Sequence, residues 1–288
     1  MKNKYNNREF KIINLNPNQG INWARRAGFE AASGEYIAFI DSDDYLDLNA
    51  YEMAIKILEN NNCDIVQFGI KLVNLEGELV GEWTRQDMTF NNSKDIYEYF
   101  LMDDTPTWNI WDKVYKRELF KNLEWPKISA LEDYCMSAQI FAKTNKLMTI
   151  NKFLYNYVQR GDSTARLPVA RIPLEERLNG SDFVINLTQK NFSYLLPEAI
   201  FRKLHFIYGI AVSHITSNSD LQQEVLEQLL PIIRRDFNFL NSELKKQRRT
   251  LNQFRCKQLA HIRFLLCCPK LYKAYLTTRL AVKKYTGI

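Results

Sequence analysis

Residues Tyr36-Ile37-Ala38-Phe39-Ile40 run straight into Asp41-Ser42-Asp43-Asp44, an apolar stretch that ends in three carboxylates. A run of that kind, rich in Ile and aromatics and bounded by polar residues, reads as a buried strand of a parallel sheet. In open α/β sheets ligands bind at the carboxyl ends of the strands, which is where these acids emerge. Asp41 and Asp43 can share a hard divalent cation, which typically keeps one or two carboxylates and completes its shell with substrate phosphates. The run is therefore a candidate metal and diphosphate site. A competing reading makes residues 41–44 a turn and N-cap for a helix over about residues 48–60. Capping needs one acid, whereas three crowded carboxylates repel unless a cation or basic group sits among them, which favours the site.

The flanking pattern of strand, helix, strand, helix, strand is that of an α/β sheet. A short strand is expected over Phe10–Asn14, a turn over Asn16–Gly20, and a helix over Ile21–Ala32 stopped by Gly34. A buried strand follows over Asp64–Phe68, then a hairpin over Ile70–Trp83 turning at Glu76-Gly77. Ser93 is placed to cap a helix reaching Met102, and Leu131–Lys143 reads as a helix with acids in its first turn, where the helix dipole favours them. Lys146–Ile150 and Phe153–Val158 are strand-like. Beyond Pro173 the pattern becomes long helices, over about 174–190, 197–216, 220–239 and 250–285, with a break at Pro269. Two domains are expected, 1–170 and 171–288, in a chain of 288 residues whose 46% hydrophobic content can bury a sizeable core.

The net charge of +6 is unevenly placed: residues 241–288 hold twelve Lys or Arg against the single acid Glu243, leaving the rest acidic. Within that tail Leu251, Phe254, Leu259, Ile262, Leu265 and Leu266 recur at helical spacing, and Leu271, Tyr272, Tyr275, Leu276 and Leu280 continue past Pro269. Basic amphipathic helices lie on anionic membrane surfaces, so 241–288 is expected at such a surface. The alternative packs the stripe on the protein and leaves the basic face in water. Nucleic acid is not an expected partner, because no recognised motif is present and the aromatics fall on the apolar stripe. Five cysteines, at 63, 135, 256, 267 and 268, show no C-x-x-C and no zinc-like His spacing, which suits reduced thiols in the cytoplasm. Met1–Arg8 is polar, unlike a signal peptide, and no stretch reaches the ~20 apolar residues of a spanning helix.

Several separated patches occur in order: Asn18-Gln19-Gly20, Ala24-Arg25-Arg26-Ala27-Gly28, Ala32-Ser33-Gly34-Glu35-Tyr36, residues 41–44, Trp111-Asp112-Lys113-Val114-Tyr115-Lys116, Glu132-Asp133, and Tyr155 to Ser163. As an ordered set over residues 10–165 they resemble family 2 glycosyltransferases of the GT-A fold, which show N-x-G, A-R-N-x-G, A-x-G-E-Y, D-S-D-D, W-x-K-x-Y, E-D and a closing Y-x-Y with R-x-x-S. The resemblance implies a Rossmann-like GT-A sheet domain followed by an α-helical C-terminal region. It implies transfer of a sugar from a nucleotide-diphosphate donor to a glycan or lipid-linked acceptor hydroxyl in surface polysaccharide synthesis, usually with inversion. On that basis Asp43 would ligate Mg²⁺ or Mn²⁺, Asp41 would lie against the nucleotide sugar or the metal shell, and Asp133 would be the general base with Glu132 as its orienting neighbour. Arg25, Trp111 and Arg160 would contact the donor or acceptor, Trp111 by stacking as an alternative to a place in the core.

Two departures stand out. Arg26 occupies the family's Asn position. The family also normally opens with two further strands, ending in P-x-Y-N and D-D-G-S, that build the first half of the nucleotide pocket. A sheet beginning at Phe10 is expected to expose an edge that another polypeptide or a second copy completes, and to turn over weakly or not at all alone. A non-catalytic partner subunit is thus a second reading. A haloacid-dehalogenase-type phosphohydrolase is a third, matching only Asp41 and Asp43.

Overall fold

A mixed sheet organises the first of the two units into which the chain divides, residues 1–163 and 164–288. The computed structural model describes residues 11–15, 17, 20–102, 107–128, 130–160, 174–216, 222–250 and 253–286. Among these the sheet strands are β1 (Tyr36–Ala38), β2 (Tyr45–Leu46), β3 (Ile65–Val73), β4 (Leu79–Trp83), β5 (Met88–Phe90), β6 (Lys113–Lys116) and β7 (Leu147–Val158). Their order is β1-β6-β3-β7-β2, with β4 on β3 and β5 on β7. β3 and β7 run parallel at the centre, and the other pairings are antiparallel.

Sequence explains the centre. β3 reads Ile-Val-Gln-Phe-Gly-Ile-Lys-Leu-Val, an apolar run suited to burial on both faces. Val66, Phe68 and Ile70 pack with Ile150, Leu154 and Tyr155 of β7 and with Ala54 and Leu58 of helix α2 (Ala50–Asn61). Burial of each such large apolar side chain contributes about 1.5–3 kcal/mol. The β3–β4 hairpin turns at Gly77, whose φ of 83° is a conformation that glycine adopts without strain.

Several expectations are corrected. The apolar run before the acids is not a buried parallel strand: β1 keeps three residues, pairs antiparallel with β6, and leaves Ile40 exposed. Phe39 and Ile40 leave the ladder ahead of the turn that the Asp44 amide closes onto the Asp41 carbonyl at 3.1 Å. Residues 11–15 form no strand and are exposed, while Phe10, Asn16, Asn18 and Gln19 lie outside the described residues. The two strands expected over 146–158 are one, because β7 absorbs the polar Asn151-Lys152 pair through register shifts against β3 around Gly69. Helix α3 (Ser93–Met102) is capped by Asn92 rather than Ser93, since Asn92 Oδ1 accepts the Asp95 amide at 2.9 Å. Helices α1 (Ile21–Ala31) and α4 (Glu132–Lys143) fall where periodicity puts them.

The second unit is helical: α5 (Leu174–Asn191), α6 (Leu196–Thr216), α7 (Gln222–Gln247), α8 (Gln253–Cys267) and α9 (Pro269–Thr286). Ile200, Leu204, Ile207 and Ala211 of α6 share a core with Leu229, Ile233 and Leu240 of α7, Ile262 and Leu265 of α8, and Tyr272 and Leu276 of α9. Of the stripe expected for 241–288, Ile262, Leu265, Tyr272 and Leu276 are taken up in this core and Leu259 and Leu266 pack partly against it, whereas Leu271 and Tyr275 stay exposed. Lys257, Arg263, Lys270, Lys273 and Arg279 remain in solvent, whereas Arg255 is buried with its guanidinium 5.1 Å from the Phe201 ring centre. Leu251 and Ser163 lie outside the described residues. Among the described residues no helix is long and apolar enough to cross a membrane.

Candidate active site

The acid run does not cap α2. β2 intervenes, and the cap residue Asn49 makes no side-chain capping bond. Instead the acids form a tight turn between β1 and β2, pinned from the far end of β7. The Tyr155 hydroxyl donates to Asp44 Oδ2 at 2.7 Å and accepts the Asp41 amide at 3.2 Å, and the Val158 amide donates to Asp44 Oδ1 at 2.8 Å. Asp47 is held likewise, by Lys71 at 3.1 Å and Asn156 at 2.9 Å. Asp44 is thus an anchor, which frees Asp41 and Asp43 as the acids that face solvent, their side chains 31% and 34% exposed.

Two arginines sit among the carboxylates, as the repulsion argument requires. Helix α1 follows the cap residue Gly20, whose φ of 88° sets the entry, and turns Asn22 and Arg25 inward. Asn22 donates to the Pro126 carbonyl at 3.0 Å. Arg25 uses one guanidinium nitrogen on Asp133 Oδ1 and reaches Asp41 Oδ1 with the other at 3.5 Å. Arg160, just past β7, donates to Asp43 at 2.5 Å.

Asp133 is the second residue of α4, and its side chain is 17% exposed. Burial pushes its carboxyl up from the ordinary range, against the opposing pull of Arg25, and the Asp41 charge adds to the rise. Asp41 is raised for the same reasons: burial first, opposed by Arg25, with the Asp43 charge adding. Glu132 is raised by burial and then by Asp133. The result is a row of carboxyls, Asp43, Asp41, Asp133 and Glu132, in which a single guanidinium joins the β1 turn to the head of α4.

The residues suit a cation that shares its shell with a substrate. Asp41 and Asp43 offer hard oxygens of the kind Mg²⁺ and Mn²⁺ take. Among the described residues no three His, Cys, Asp or Glu side chains converge on a complete protein cage. Further oxygens, such as those of a diphosphate, would have to fill the shell.

Trp111 is not where a sugar could meet it. It is 6% exposed, with its ring 4.4 Å from that of Tyr155, 5.6 Å from Tyr157 and 6.4 Å from Trp83 by centroids. Its place is behind the acid turn, packed against the tyrosine that closes it. Trp108 is half-buried, edge-on to Tyr134 at 6.2 Å. Sequence reasoning missed a buried polar cluster beside the site. Asp112 accepts from Lys113 at 2.5 Å, Gln67 at 2.8 Å and Arg85 at 3.0 Å, all fully or almost fully buried. The available signal was an Asp-Lys pair set inside the apolar Trp111–Tyr115 segment, since charges there must find partners or not be buried.

Residues 2–123 match the family model described as Glycosyl transferase family 2. The chain is 28% identical over 157 residues to Glycosyltransferase GlyA of Streptococcus pneumoniae, covering 52% of this chain and 23% of that protein. It is 30% identical over 167 residues to Chondroitin synthase of Pasteurella multocida, covering 56% and 16%. It is 25% identical over 164 residues to Poly(ribitol-phosphate) beta-N-acetylglucosaminyltransferase TarS of Staphylococcus aureus, covering 54% and 27%. The chain spans less than a third of the length of these three curated proteins. The crystal structure of S. aureus TarS 1-349 superposes with a TM-score of 0.61 over 99% of this chain and 77% of that one, at 16% identity, and so shares the fold.

Proposed function

We propose that the first unit of this chain, of which residues 2–123 match the model of glycosyl transferase family 2, moves a sugar from a nucleotide-diphosphate donor to the hydroxyl of a glycan or lipid-linked acceptor in polysaccharide synthesis, with inversion. The observation that carries the reading is the double engagement of Arg25, which holds Asp133 and Asp41 on one guanidinium. It sets a buried carboxylate with a raised pKa beside the acids suited to a donor diphosphate, the pairing that a base and a leaving-group site require.

In this reading the acceptor oxygen attacks the anomeric carbon as its proton passes to Asp133, and the bond from that carbon to the diphosphate oxygen breaks. A positioned base of this kind contributes about 10²–10⁴-fold. Its raised pKa brings the carboxylate closer to the operating pH, where it takes a proton more readily than an ordinary aspartate. Glu132 orients and shields it. Asp41 binds the nucleotide sugar, and Asp43 with Asp41 would hold Mg²⁺ or Mn²⁺. When bound, such an ion supplies Lewis-acid stabilisation of the charge gathering on the departing diphosphate. Arg160 exchanges Asp43 for the diphosphate, a planar fork suited to phosphate oxygens. The reading places the protein in the cytoplasm.

The test is release of nucleoside diphosphate by the purified chain from a panel of nucleotide sugars, with Mn²⁺ or Mg²⁺ and a glycan acceptor. A low rate that depends on acceptor and metal and disappears in Asp133→Asn is expected. Equal rates for Asp133→Asn and the wild type would overturn the assignment.

A further inference from the structure

Arg25 and Arg26 are neighbours on α1, and successive residues of a helix point about 100° apart. Arg25 turns inward to the carboxyl row. Arg26 opens instead on a cavity of about 430 Å³, within the range of about 300–1,000 Å³ usual for ligand pockets. Its walls are Phe29 of α1, Phe120 at the end of the 3₁₀ turn Arg117–Phe120, and Trp125 of the irregular segment that follows. The Phe29 ring lies 5.3 Å from that of Phe120 and 6.3 Å from that of Trp125 by centroids, each tilted by 31°. Phe120 is buried, and Phe29 and Trp125 are half-buried. At the rim stand Arg26, Glu30 and Lys121, with Arg26 Nε donating to Glu30 at 2.8 Å.

The cavity is built, not left over. Residues 121–126 have no regular structure, yet side chains from α1 and α4 hold their backbone. Gln139 of α4 accepts the Glu124 amide and donates to the Glu124 carbonyl, both at 2.8 Å, and Lys143 donates to the Lys121 carbonyl at 2.9 Å. Asn22 of α1 holds the Pro126 carbonyl at 3.0 Å. Asn22 and Gln139 are both buried, so these bonds are shielded from water. Behind the wall the Phe120 ring lies 5.7 Å from that of Phe39, two residues before Asp41. The cavity and the carboxyl row therefore flank one helix, whose diameter with side chains is about 10–12 Å.

Three aromatic walls favour a ligand with an apolar face. The rim decides its charge. A phosphate or carboxylate would meet cations at Arg26 and Lys121 but also the Glu30 carboxylate, which accepts and does not donate. A wholly apolar group would leave the rim without partners. A ring of hydroxyls both donates and accepts, so it can bridge Arg26 and Glu30 while its C–H face lies on the Phe29 and Trp125 rings. We infer that this cavity is a subsite for a neutral sugar residue of a glycan, held apart from the reacting end, which makes the acceptor an oligosaccharide rather than a single sugar. Calling that glycan the acceptor rests on the transfer reading, whereas binding in the cavity does not. The subsite also gives a ligand to Arg26, which stands where the family has Asn.

The test applies the full chain, without donor or metal, to an array of neutral oligosaccharides built from glucose, galactose and N-acetylhexosamines, followed by calorimetric titration of the best binder. A neutral oligosaccharide is expected to bind in preference to its own monosaccharide. In Trp125→Ala its affinity should fall by about tenfold or more, and in Glu30→Gln, a change on the exposed face of α1, by about three- to tenfold, each with native near-UV circular dichroism. No neutral oligosaccharide held on the array, or unchanged affinity in either folded variant, would overturn the inference. Preference for a sulfated oligosaccharide over the neutral ones would overturn it too, by showing that the cations and not the rings select the ligand. Asp133→Asn should bind the glycan as tightly as the wild type. A chain that binds it in this cavity but transfers equally well without Asp133 would therefore lose the base assignment and keep the subsite.

Discussion

Tyr155 and Asp44, separated by 111 residues in sequence, share a 2.7 Å hydrogen bond in which the phenol donates, and that same phenol receives the Asp41 amide. One hydroxyl thereby closes the acid turn at both ends. Burial and then the Asp44 carboxylate push the phenol above its ordinary pKa, so it remains a donor throughout the accessible pH range.

Tyr155→Phe removes both bonds without changing ring packing against Trp111. A loss of about 1–3 kcal/mol is expected from leaving Asp44 and the Asp41 amide short of a partner. Urea unfolding measures this, and donor affinity should weaken in parallel because the turn that presents Asp41 and Asp43 is no longer fixed.

Asp43 and Asp44 should separate function from stability. The Asp43–Arg160 pair is more than one-third exposed on the arginine side and about that on the aspartate side, and exposed pairs contribute ~1 kcal/mol or less. Asp43→Ala should therefore leave the unfolding midpoint nearly unchanged yet abolish metal-dependent transfer. Asp44→Ala should destabilise, because Tyr155 and the Val158 amide lose their acceptor. Equal effects of the two on stability would contradict the division of roles.

Arg25→Met removes the cation that restrains the rise of Asp133 and Asp41. Both carboxyls should move further up, so the acid limb of the kcat/KM profile should shift to higher pH and the rate at neutral pH should fall by about 10²-fold. An acid limb that stays in place would mean that Arg25 acts on something other than the base.

The Lys113 ammonium gives a pH signature on the alkaline side. Its folded value of about 8 lies below the ordinary 10.5, so the folded form releases the proton first and stability rises as pH climbs from 8 toward 10.5, a gain that is lost as pH falls back through 8. Wild type should gain stability over pH 8 to 9.5 relative to Lys113→Met, as followed by urea midpoints. Parallel curves for the two proteins would show that Lys113 titrates normally.

Gly69→Ala tests the register shift that keeps β7 in one piece. A Cβ at Gly69 would meet Phe153 Cδ1 at 3.0 Å and the Lys152 carbonyl at 3.3 Å. A loss of about 1–3 kcal/mol is expected from the overpacking, with donor binding weakened because Tyr155 lies two residues beyond Phe153. Thermal unfolding of the variant checks it.

The helices were legible because their apolar periodicity is local: α1 and α4 are written in their own residues. The acid turn was legible as chemistry, since three adjacent carboxylates call for a counter-charge. The guanidinium that supplies it was not, because Arg25 and Asp133 stand 108 positions apart and nothing between them signals their meeting. β7 was misread as two strands because Asn151-Lys152 look like a break, and only the neighbouring Gly69 reveals that the strand bulges through. Trp111 failed for a related reason: a tryptophan's composition cannot tell whether its ring faces a ligand or Tyr155. In the tail, spacing showed that Ile262, Leu265, Tyr272 and Leu276 share a face, but a stripe does not name what it lies against, and α6 and α7 lie there.

The reach of β7 across the sheet carries a consequence for synthesis. The groups that close the acid turn on Asp44, Tyr155 and Val158, follow it by 111 and 114 residues, so for most of the time the first unit is emerging from the ribosome the aspartates hang unclosed. Capture of an ion or a donor in the proposed manner begins only when the last strand of that unit has docked, which makes binding a readout of completed folding.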